Sequence, residues 1–457
     1  MPETLAERFA DYALSIDFDD LTDSVVHETK RRLIDALGCT LGAWDGDAPR
    51  AAQRVAAIQE SSRGAHTLYG TPTSIDMAAF VNGVLIRYLD FNDTYLSKEP
   101  AHPSDNFAAT LAAAEVAGAS GRELIAATVI AYEIQCRLAD AWSIRAEGWD
   151  HVCYGSFSTV LGAGKILGLS SEQLVHAQGI SGVAHMAMRQ TRAGELSMWK
   201  GAAFANAARN GVLSVLLAAE GMTGPAPIFE GEMGFFAEVA HGKFDLPALG
   251  GQDGADFMLP GTYIKYWPAE YHSQSAIDAA LQLRAEIGDA SEIESVVIET
   301  FNAAVEIIAD PEKWRPKTRE TADHSLPYCV GVALVDGEVG LPQFAPERFG
   351  DESLLDLVSR IEVKADAELD KRYPESVPNR ITVRTRSGDS VTREVAYPKG
   401  HVGNPMSDDE VEAKFRAQAD GRLTEATQSA ALARLWALED ETDIEGLLGL
   451  FAEAERV

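Results

Sequence analysis

The stretch of sequence that says most about the architecture runs from residue 75 to residue 118 and reads IDMAAFVNGVLIRYLDFNDTYLSKEPAHPSDNFAATLAAAEVAG. Both of its ends are rich in alanine and apolar nearly all round, which is typical of helices buried in a large bundle. Between them lies a polar, turn-prone loop, and functional groups are often carried on loops between rigid elements. The candidate residues in and beside it are Asp90, Asp93, Thr94 and His102. A second interpretation stays open, in which Asp93 and Thr94 cap helices and His102 is an ordinary surface residue.

Outward from this loop, the chain up to about Ala269 reads almost entirely as helix. Asp20 or Thr22 can cap a helix whose apolar face includes Val26, Leu33 and Leu37. Further helices are predicted over residues 75–88, 106–118 and 122–142. The glycine-containing run at residues 162–168 looks like a phosphate loop, but it lacks the GK[ST] ending and lies within a helical pattern, so we reject that interpretation.

The pattern changes after Pro268. A helix is predicted over residues 275–287, a strand over 296–300, and a hairpin over 380–397 around the turn Ser387-Gly388-Asp389. Helical periodicity returns from Ser407 onward. We therefore predict a mainly α fold: a large all-helical domain formed by both chain ends, residues 1–269 and 401–457, with a smaller α+β lid domain inserted at residues 270–400.

The composition restricts the possible partners. The 457 residues carry a formal net charge of −31, with 39 basic against 70 acidic side chains. Such a surface repels nucleic acids and anionic membranes, so we expect neither as a partner. Only 12 of the basic residues are lysines. A large acidic excess favours adaptation to high salt, which screens the self-repulsion, although an ordinary acidic bacterial enzyme is the alternative.

The four cysteines are scattered, at Cys39, Cys136, Cys153 and Cys329, and none forms a CxxC pair. Zinc and iron–sulfur sites need closer ligand spacing, so we expect no metal and no cofactor. Reduced, buried thiols indicate the cytoplasm. The N-terminal sequence lacks the pattern of a signal peptide, and no apolar run is long enough to span a bilayer.

Four further motifs contain chemically capable side chains. His151 lies in GWDH at residues 148–151, and Lys200 lies in SMWKG at residues 197–201. Lys265 and His272 lie in the aromatic-rich KYWPAEYH at the proposed domain junction, and Tyr328 lies in HSLPY. A buried lysine is costly unless it is paired or used, though its ammonium can also snorkel to the surface. His151 and Tyr328 have simpler interpretations as a structural loop residue and a core residue.

The strings LDFNDTY, HPSDN, GWDH, SMWKG, KYWPAEYHSQSA and RETADHSLPY together resemble the MmgE/PrpD family, in order and spacing. The resemblance covers essentially the whole chain and is weakest after about residue 400. This family includes 2-methylcitrate dehydratases, cis-aconitate decarboxylases and an iminodisuccinate epimerase. The resemblance implies a helical large domain, an α+β lid and a homodimer.

The resemblance also implies the site residues. Matching the motifs position by position assigns catalytic roles to Asp90, Thr94, His102, His151, Lys200, Lys265 and Tyr328. The arginines Arg87 and Arg192 and the histidine His272 are added as candidates for binding substrate carboxylates. Some members differ in the stretch before the Lys200 motif, which contains Arg189 and Arg192.

The activities of this family share one difficulty, because negative charge builds up on a carbon next to a carboxylate and needs fixed cations or donors around it. Lysines and arginines would hold the substrate's carboxylates, while His102 or His151 would act as acid and base. Asp90 would orient its neighbour, and Thr94 and Tyr328 would donate to substrate oxygens. The preferred hypothesis is dehydration of a small polycarboxylate such as 2-methylcitrate, a step of propionate catabolism through the 2-methylcitrate cycle. A cis-aconitate-type decarboxylase, a dicarboxylate epimerase and a non-catalytic homologue are the alternatives.

Overall fold

The computed structural model describes residues 3–454, which form two compact units. The larger unit takes in the chain up to Arg192, the segment Met198–Thr262, and the chain from Ser407 onward. Its helices are α1 Leu5–Ser15, α2 Asp23–Gly42, α3 Asp47–Ala56, α4 Ile75–Arg87, α5 Phe107–Ala117, α6 Gly121–Ala141, α7 Gly155–Ile166, α8 Ser171–Ala184, α9 Ala203–Ala219 and α10 Phe235–Glu238. Three more helices near the end of the described chain complete it.

The smaller unit consists of Ala193–Ser197 and Tyr263–Met406. Its helices are α11 Gln274–Ile287, α12 Asn302–Ile308, α13 Arg319–Ala322, α14 Leu326–Asp336, α15 Pro346–Phe349, α16 Glu352–Val358 and α17 Ala367–Asp370. The last helices of the chain, α18 Asp408–Ala419, α19 Glu425–Trp436 and α20 Ile444–Ala452, belong to the larger unit. The prediction of a mostly helical fold is confirmed. That the smaller unit acts as a lid stays a prediction.

A short antiparallel pair, β1 Ala65–His66 with β2 Pro72–Thr73, lies in the larger unit. The smaller unit holds a four-stranded sheet in the order β4-β3-β5-β6, with strands β3 Ile293–Thr300, β4 Ile361–Ala365, β5 Asn379–Thr385 and β6 Ser390–Val395. β3 runs parallel to β4 and antiparallel to β5, and β5 pairs antiparallel with β6. The predicted strand and hairpin are confirmed by β3 and by the pairing of β5 with β6. Alternating residues of β5, such as Ile381 and Val383, are buried beneath α11.

The helix boundaries follow from local chemistry. Thr22, not Asp20, caps α2, where its hydroxyl accepts a hydrogen bond from the N–H of Val25. Ser120 and Glu123 form a capping box at the start of α6, and the two side chains satisfy N–H groups that a helix start leaves unpaired. α5 ends at Gly118, which adopts the left-handed conformation that glycine accepts without a steric penalty. The predicted helices at 75–88, 106–118 and 122–142 are therefore confirmed within a residue or two.

The expectation of nearly continuous helix up to Ala269 is wrong for the stretch after α9. Residues 220–269 form turns and irregular structure, apart from the short α10 and a 3-10 turn at Leu259–Gly261. This stretch contains many glycines and prolines, including Pro225 and Pro227, which remove backbone donors or favour turns. Its conformation is held by packing, as shown by the buried aromatic rings of Phe229 and Phe235.

Long buried helices form the core of the larger unit, where α4 packs against α5 and α9, and α7 packs against α6 and α9. The four cysteines are buried and unbridged, as predicted. None of the helices within residues 3–454 combines the length and the apolar character that crossing a bilayer requires.

Candidate active site

The site begins where α4 ends. Arg87 is the last residue of the helix, and the chain then turns at Asp90, whose φ of +51° is left-handed. Aspartate is among the few non-glycine residues that tolerate this region. The turn places one carboxylate oxygen of Asp90 against Nη1 of Arg87, and the other 3.4 Å from Nζ of Lys200. All three side chains are buried, so Asp90 partners two buried cations.

Lys200 lies in a 3-10 turn at Met198–Gly201, just before α9. Its side chain is fully buried and does not snorkel to the surface. The adjacent Gly201 lets the backbone of this turn lie close to the backbone of Tyr88, because a Cβ atom at residue 201 would stand only 3.2 Å from the Cα of Tyr88. A buried ammonium requires a partner, and the Asp90 carboxylate is one.

A layer of hydrogen bonds holds the loop from residue 92 to residue 105. The carboxylate of Asp93 accepts from the N–H of Ser104 and from the hydroxyl of Tyr132, at 2.8 Å each. The amide of Asn92 donates to Ser104 and to Oδ1 of Asp105 at the same distance. The Asp93 side chain therefore binds the start of a 3-10 turn at Pro103–Asn106, which lies directly after His102.

Burial raises the pKa of Asp105 to about 7, and Arg87, whose Nε lies 3.8 Å away, opposes the shift. Burial also raises the pKa of Asp93, against its hydrogen bonds from Ser104. The loop therefore contains carboxyl groups that are protonated more readily than ordinary ones.

The tautomer of His102 follows from its contacts. Its Nδ1 lies 2.8 Å from the carbonyl oxygen of Asp93 and 2.8 Å from the hydroxyl oxygen of Thr94. A carbonyl oxygen only accepts hydrogen bonds, so Nδ1 carries the proton and donates a hydrogen bond to this oxygen. In the neutral ring, Nε2 then holds the lone pair, which is the arrangement that a base requires.

His151 faces His102, with ring centroids 5.6 Å apart. It begins a 3-10 turn, His151–Tyr154, in which Asp150 accepts from the N–H of Val152. Burial lowers the pKa of His151 to about 3, although the Asp150 carboxylate opposes this, so the ring is neutral at ordinary pH. Among the described residues, its buried Nδ1 has no hydrogen-bond partner.

Arg192 contacts the carboxylate of Asp150, the residue before His151, with its Nε 3.0 Å from Oδ2. Although burial opposes the effect, Arg192 and His151 hold the pKa of Asp150 below its usual value. Arg192 ends a 3-10 turn that begins at Arg189, and Arg189 donates to the carbonyl of Arg145. Arg192 thus orients the Asp150–His151 pair, in addition to any contact with a ligand.

Three predicted residues lie in the smaller unit. Lys265 is fully buried there. His272 lies 3.0 Å from Glu270 through Nδ1 and 3.2 Å from the hydroxyl of Tyr373 through Nε2. Although burial opposes it, the neighbouring His272, His324 and Lys265 lower the pKa of Glu270.

Tyr328, in α14, is fully buried, and its hydroxyl donates to the carbonyl of Gln343. Its ring packs near Phe344. These contacts satisfy the hydroxyl within the core, so a role in binding substrate stays a prediction.

The sequence profile of the MmgE/PrpD N-terminal domain matches residues 7–247, and that of the MmgE/PrpD C-terminal domain matches residues 267–439. The chain belongs to the MmgE/PrpD family. A 2-methylcitrate dehydratase of Cupriavidus necator is 29% identical over 453 residues, covering 91% of this chain and 90% of that protein. The 2-methylcitrate dehydratase of Escherichia coli K12 is 28% identical over 411 residues, covering 84% and 83%. A cis-aconitate decarboxylase of Mus musculus is 26% identical over 468 residues, covering 97% and 92%.

The MmgE/PrpD N-terminal domain spans every predicted residue that the larger unit brings together. These residues are Arg87, Asp90, Thr94, His102, His151, Arg192 and Lys200. His272 and Tyr328 fall in the MmgE/PrpD C-terminal domain, whereas Lys265 lies in the stretch between the two matched ranges.

Sequence reasoning missed Asp105 and Asp150 as parts of the cluster. Both lie inside quoted motifs, HPSDN and GWDH, beside residues that were singled out. The signal was therefore present, but nothing in the spacing indicates that Asp105 lies beside Arg87 or that Asp150 lies beside Arg192.

Proposed function

We propose that this MmgE/PrpD protein is a hydro-lyase that dehydrates a small polycarboxylate such as 2-methylcitrate, without a metal or an organic cofactor. The relatives named 2-methylcitrate dehydratase, which align over most of the chain, support this proposal. So does one observation within the larger unit: a chain with a net charge of −31 buries Arg87 and Lys200 together, beside two facing histidines. An acidic protein that binds an anion must concentrate its cations at one place.

In this proposal His102 is the base. A proton acceptor works best when its pKa is near the working pH, and the low pKa of His151 makes that ring a poor one. Nε2 of His102 takes the proton from the carbon next to a substrate carboxylate. The electron pair left behind forms the new double bond as the carbon–oxygen bond breaks, and the hydroxyl leaves as water with the proton that the His102 imidazolium gives up. Neutral His151 and Thr94 hold substrate oxygens by hydrogen bonds.

Arg87, Lys200 and Lys265 would hold the carboxylates and stabilise the enolate-like charge, with Arg192 and His272 as further contacts and Tyr328 as a donor. Asp90 would keep Arg87 and Lys200 in place. We further propose that the enzyme works as a homodimer in the cytoplasm.

Decarboxylation of cis-aconitate is the second candidate. Its support is that the mouse decarboxylase aligns over 97% of this chain, more than the 91% of the Cupriavidus necator dehydratase. The same cations would serve both reactions, because both develop charge next to a carboxylate.

The deciding experiment incubates the protein with 2-methylcitrate, citrate and cis-aconitate at several salt concentrations. Ultraviolet absorbance reports a new conjugated alkene, and a gas assay reports carbon dioxide. We expect alkene formation from 2-methylcitrate without gas release, also after exhaustive chelation. Gas release from cis-aconitate alone would favour the decarboxylase, and activity that vanishes on chelation and returns with iron would refute a metal-free mechanism. Inactivity toward all three acids at every salt concentration would overturn the proposal.

A further inference from the structure

A lysine from the C-terminal part of the chain reaches the loop that follows α4. Nζ of Lys414, in α18, donates to the carbonyl oxygen of Phe91 at 2.8 Å. The same ammonium lies 3.7 Å from the centroid of the Phe91 ring, within the range of a cation–π contact. Its side chain is only 7% exposed. One buried charge thus binds both the backbone and the side chain of a residue 323 positions away.

The position of Lys414 is set by a second contact. Oδ1 of Asp35, in α2, lies 2.6 Å from its Nζ, and the Asp35 side chain is fully buried. α18 packs against α2 along this contact. A buried ion pair holds its members in one arrangement, because neither charge can leave its partner without a large desolvation cost.

Phe91 lies between two residues of the candidate site, Asp90 and Asp93. It follows Asp90, whose left-handed backbone is strained for a residue with a Cβ atom. Strained conformations persist only when their surroundings over-determine them. Two residues later, the carbonyl of Asp93 accepts a hydrogen bond from Nδ1–H of His102. Fixing the Phe91 carbonyl fixes the peptide plane between the Asp90 turn and this acceptor.

We propose that Lys414, set by Asp35, is a positioning residue that holds the loop of residues 90–94, so that His102 keeps its reactive tautomer and direction. This inference rests on the proposed function. Misplacing a reacting group by about 1 Å can lower a rate by about 100-fold. The contacts of Lys414 with Phe91 can therefore affect catalysis although Lys414 does not touch the substrate.

The test compares two double variants. Asp35→Asn with Lys414→Met removes both buried charges, so that neither is left alone. The matched control is Glu439→Gln with Lys30→Met. Lys30 also ties α2 to the C-terminal segment, through Glu439 at 2.8 Å and the carbonyl of Trp436 at 2.9 Å, and in the described part of the chain it makes no hydrogen bond to residues 90–94. A third variant, Lys414→Arg, keeps the charge and the donor.

We expect the Asp35/Lys414 variant to lose about 10- to 100-fold in kcat, while its KM stays within about threefold, because the loop is displaced but the carboxylate-binding cations remain. Hydrogen exchange of the amides in residues 90–94 should become faster. Lys414→Arg should recover most of the lost kcat, and the Lys30/Glu439 control should keep both the rate and the exchange protection. Equal kcat and equal exchange in the two double variants would overturn the proposal.

The two proposals can fail separately. If the unaltered protein is inactive toward all three acids, the proposed function is overturned, and the exchange comparison still decides whether Lys414 holds the loop. If the Asp35/Lys414 variant does not fold, Phe91→Leu replaces it, because this change keeps the ion pair and removes the ring under the ammonium. Unchanged exchange in residues 90–94 of Phe91→Leu would then count against the proposal.

Discussion

His102 owes its orientation to a backbone carbonyl. The carbonyl of Asp93 fixes its tautomer, as a hydrogen bond to the second nitrogen commonly does for functional histidines. His151, at 5.6 Å, is held neutral by burial. The two facing histidines therefore lie in different environments, and environments of this kind separate the roles of otherwise identical side chains.

Replacing His102 with alanine tests the role of base. We expect kcat to fall by about 100-fold or more, because a positioned general base contributes at least that much. Steady-state kinetics with 2-methylcitrate measures the loss. His27→Ala is the control, since His27 lies in α2 of the same unit with a side chain 42% exposed. A His102→Ala enzyme with nearly normal kcat would remove this residue from the mechanism.

His151 should make stability depend on pH. Its pKa in the folded protein, about 3, lies below the ordinary value of 6.5, so folding favours the neutral ring. That stabilisation is complete above pH 6.5 and is lost as the pH falls toward 3. Compared with His151→Gln, the wild type should lose up to about 1.4 kcal/mol of unfolding free energy for each pH unit below 6.5. Urea unfolding of both proteins between about pH 8 and about pH 5 measures the trend, and a difference that stays constant would contradict a neutral, buried ring.

At the scale of elements, close helix packing positions the loop that carries Asp90. α4 approaches α5 and α9 at Gly83, where a Cβ atom would stand 2.9 Å from the Cβ of Ala205 and 3.1 Å from that of Ala108. Side chains at these distances overlap, so only glycine permits this spacing. The end of α4, with Arg87, is thereby held against α9, which follows Lys200.

A pair of glycine substitutions tests this packing. Gly83→Ala should lower the free energy of unfolding by about 1–3 kcal/mol, because the extra methyl group forces neighbouring helices apart. Gly449→Ala, in the exposed middle of α20, meets nothing within 4 Å. That change should instead raise stability by about 0.5–1 kcal/mol, since alanine loses less backbone entropy in a helix than glycine. Chemical denaturation of both variants measures the contrast, and equal effects would show that α4 can move without cost.

Element by element, the sequence predicted the regular helices well. Residues 75–88 and 122–142 belong to the largely apolar stretches of the chain, and α4 and α6 follow them closely. The irregular stretch after α9 was mispredicted, because its glycines and prolines have no periodic pattern and its shape comes from long-range aromatic packing. β4 was not predicted, since it is a short strand whose pairing partner lies about 60 residues earlier in the chain, a distance that local pattern reasoning does not cover.

At the scale of the whole molecule, charge is the dominant property. A net charge of −31 repels itself at low ionic strength and opposes the compact state. Arginines in the smaller unit offset part of this repulsion, as where Arg380 lies 2.9 Å from Glu394 and 3.3 Å from Glu299. The acidic excess remains, so the protein should depend on dissolved salt.

Thermal unfolding in increasing potassium chloride tests this dependence. Between about 0.1 M and about 1 M salt the screening length falls from about 10 Å to about 3 Å, so repulsion between surface carboxylates nearly disappears. We expect Tm to rise steadily across this range. Sucrose, which stabilises by exclusion without screening charge, is the control. A Tm that is flat or falls with salt would contradict adaptation to saline conditions.

The amino-acid sequence by itself determined the mostly helical fold, the helix boundaries, the buried thiols and the family, because these follow from local periodicity, capping chemistry and motif order. It also named most of the clustered residues. The tertiary structure alone decided the protonation state of His151, the tautomer of His102 and the partners of Lys200, Asp105 and Arg192. It also brought Lys414 to Phe91, which lies 323 residues away. The physical reason is that pKa values and hydrogen-bond partners depend on burial and on groups distant in sequence, which no local pattern records.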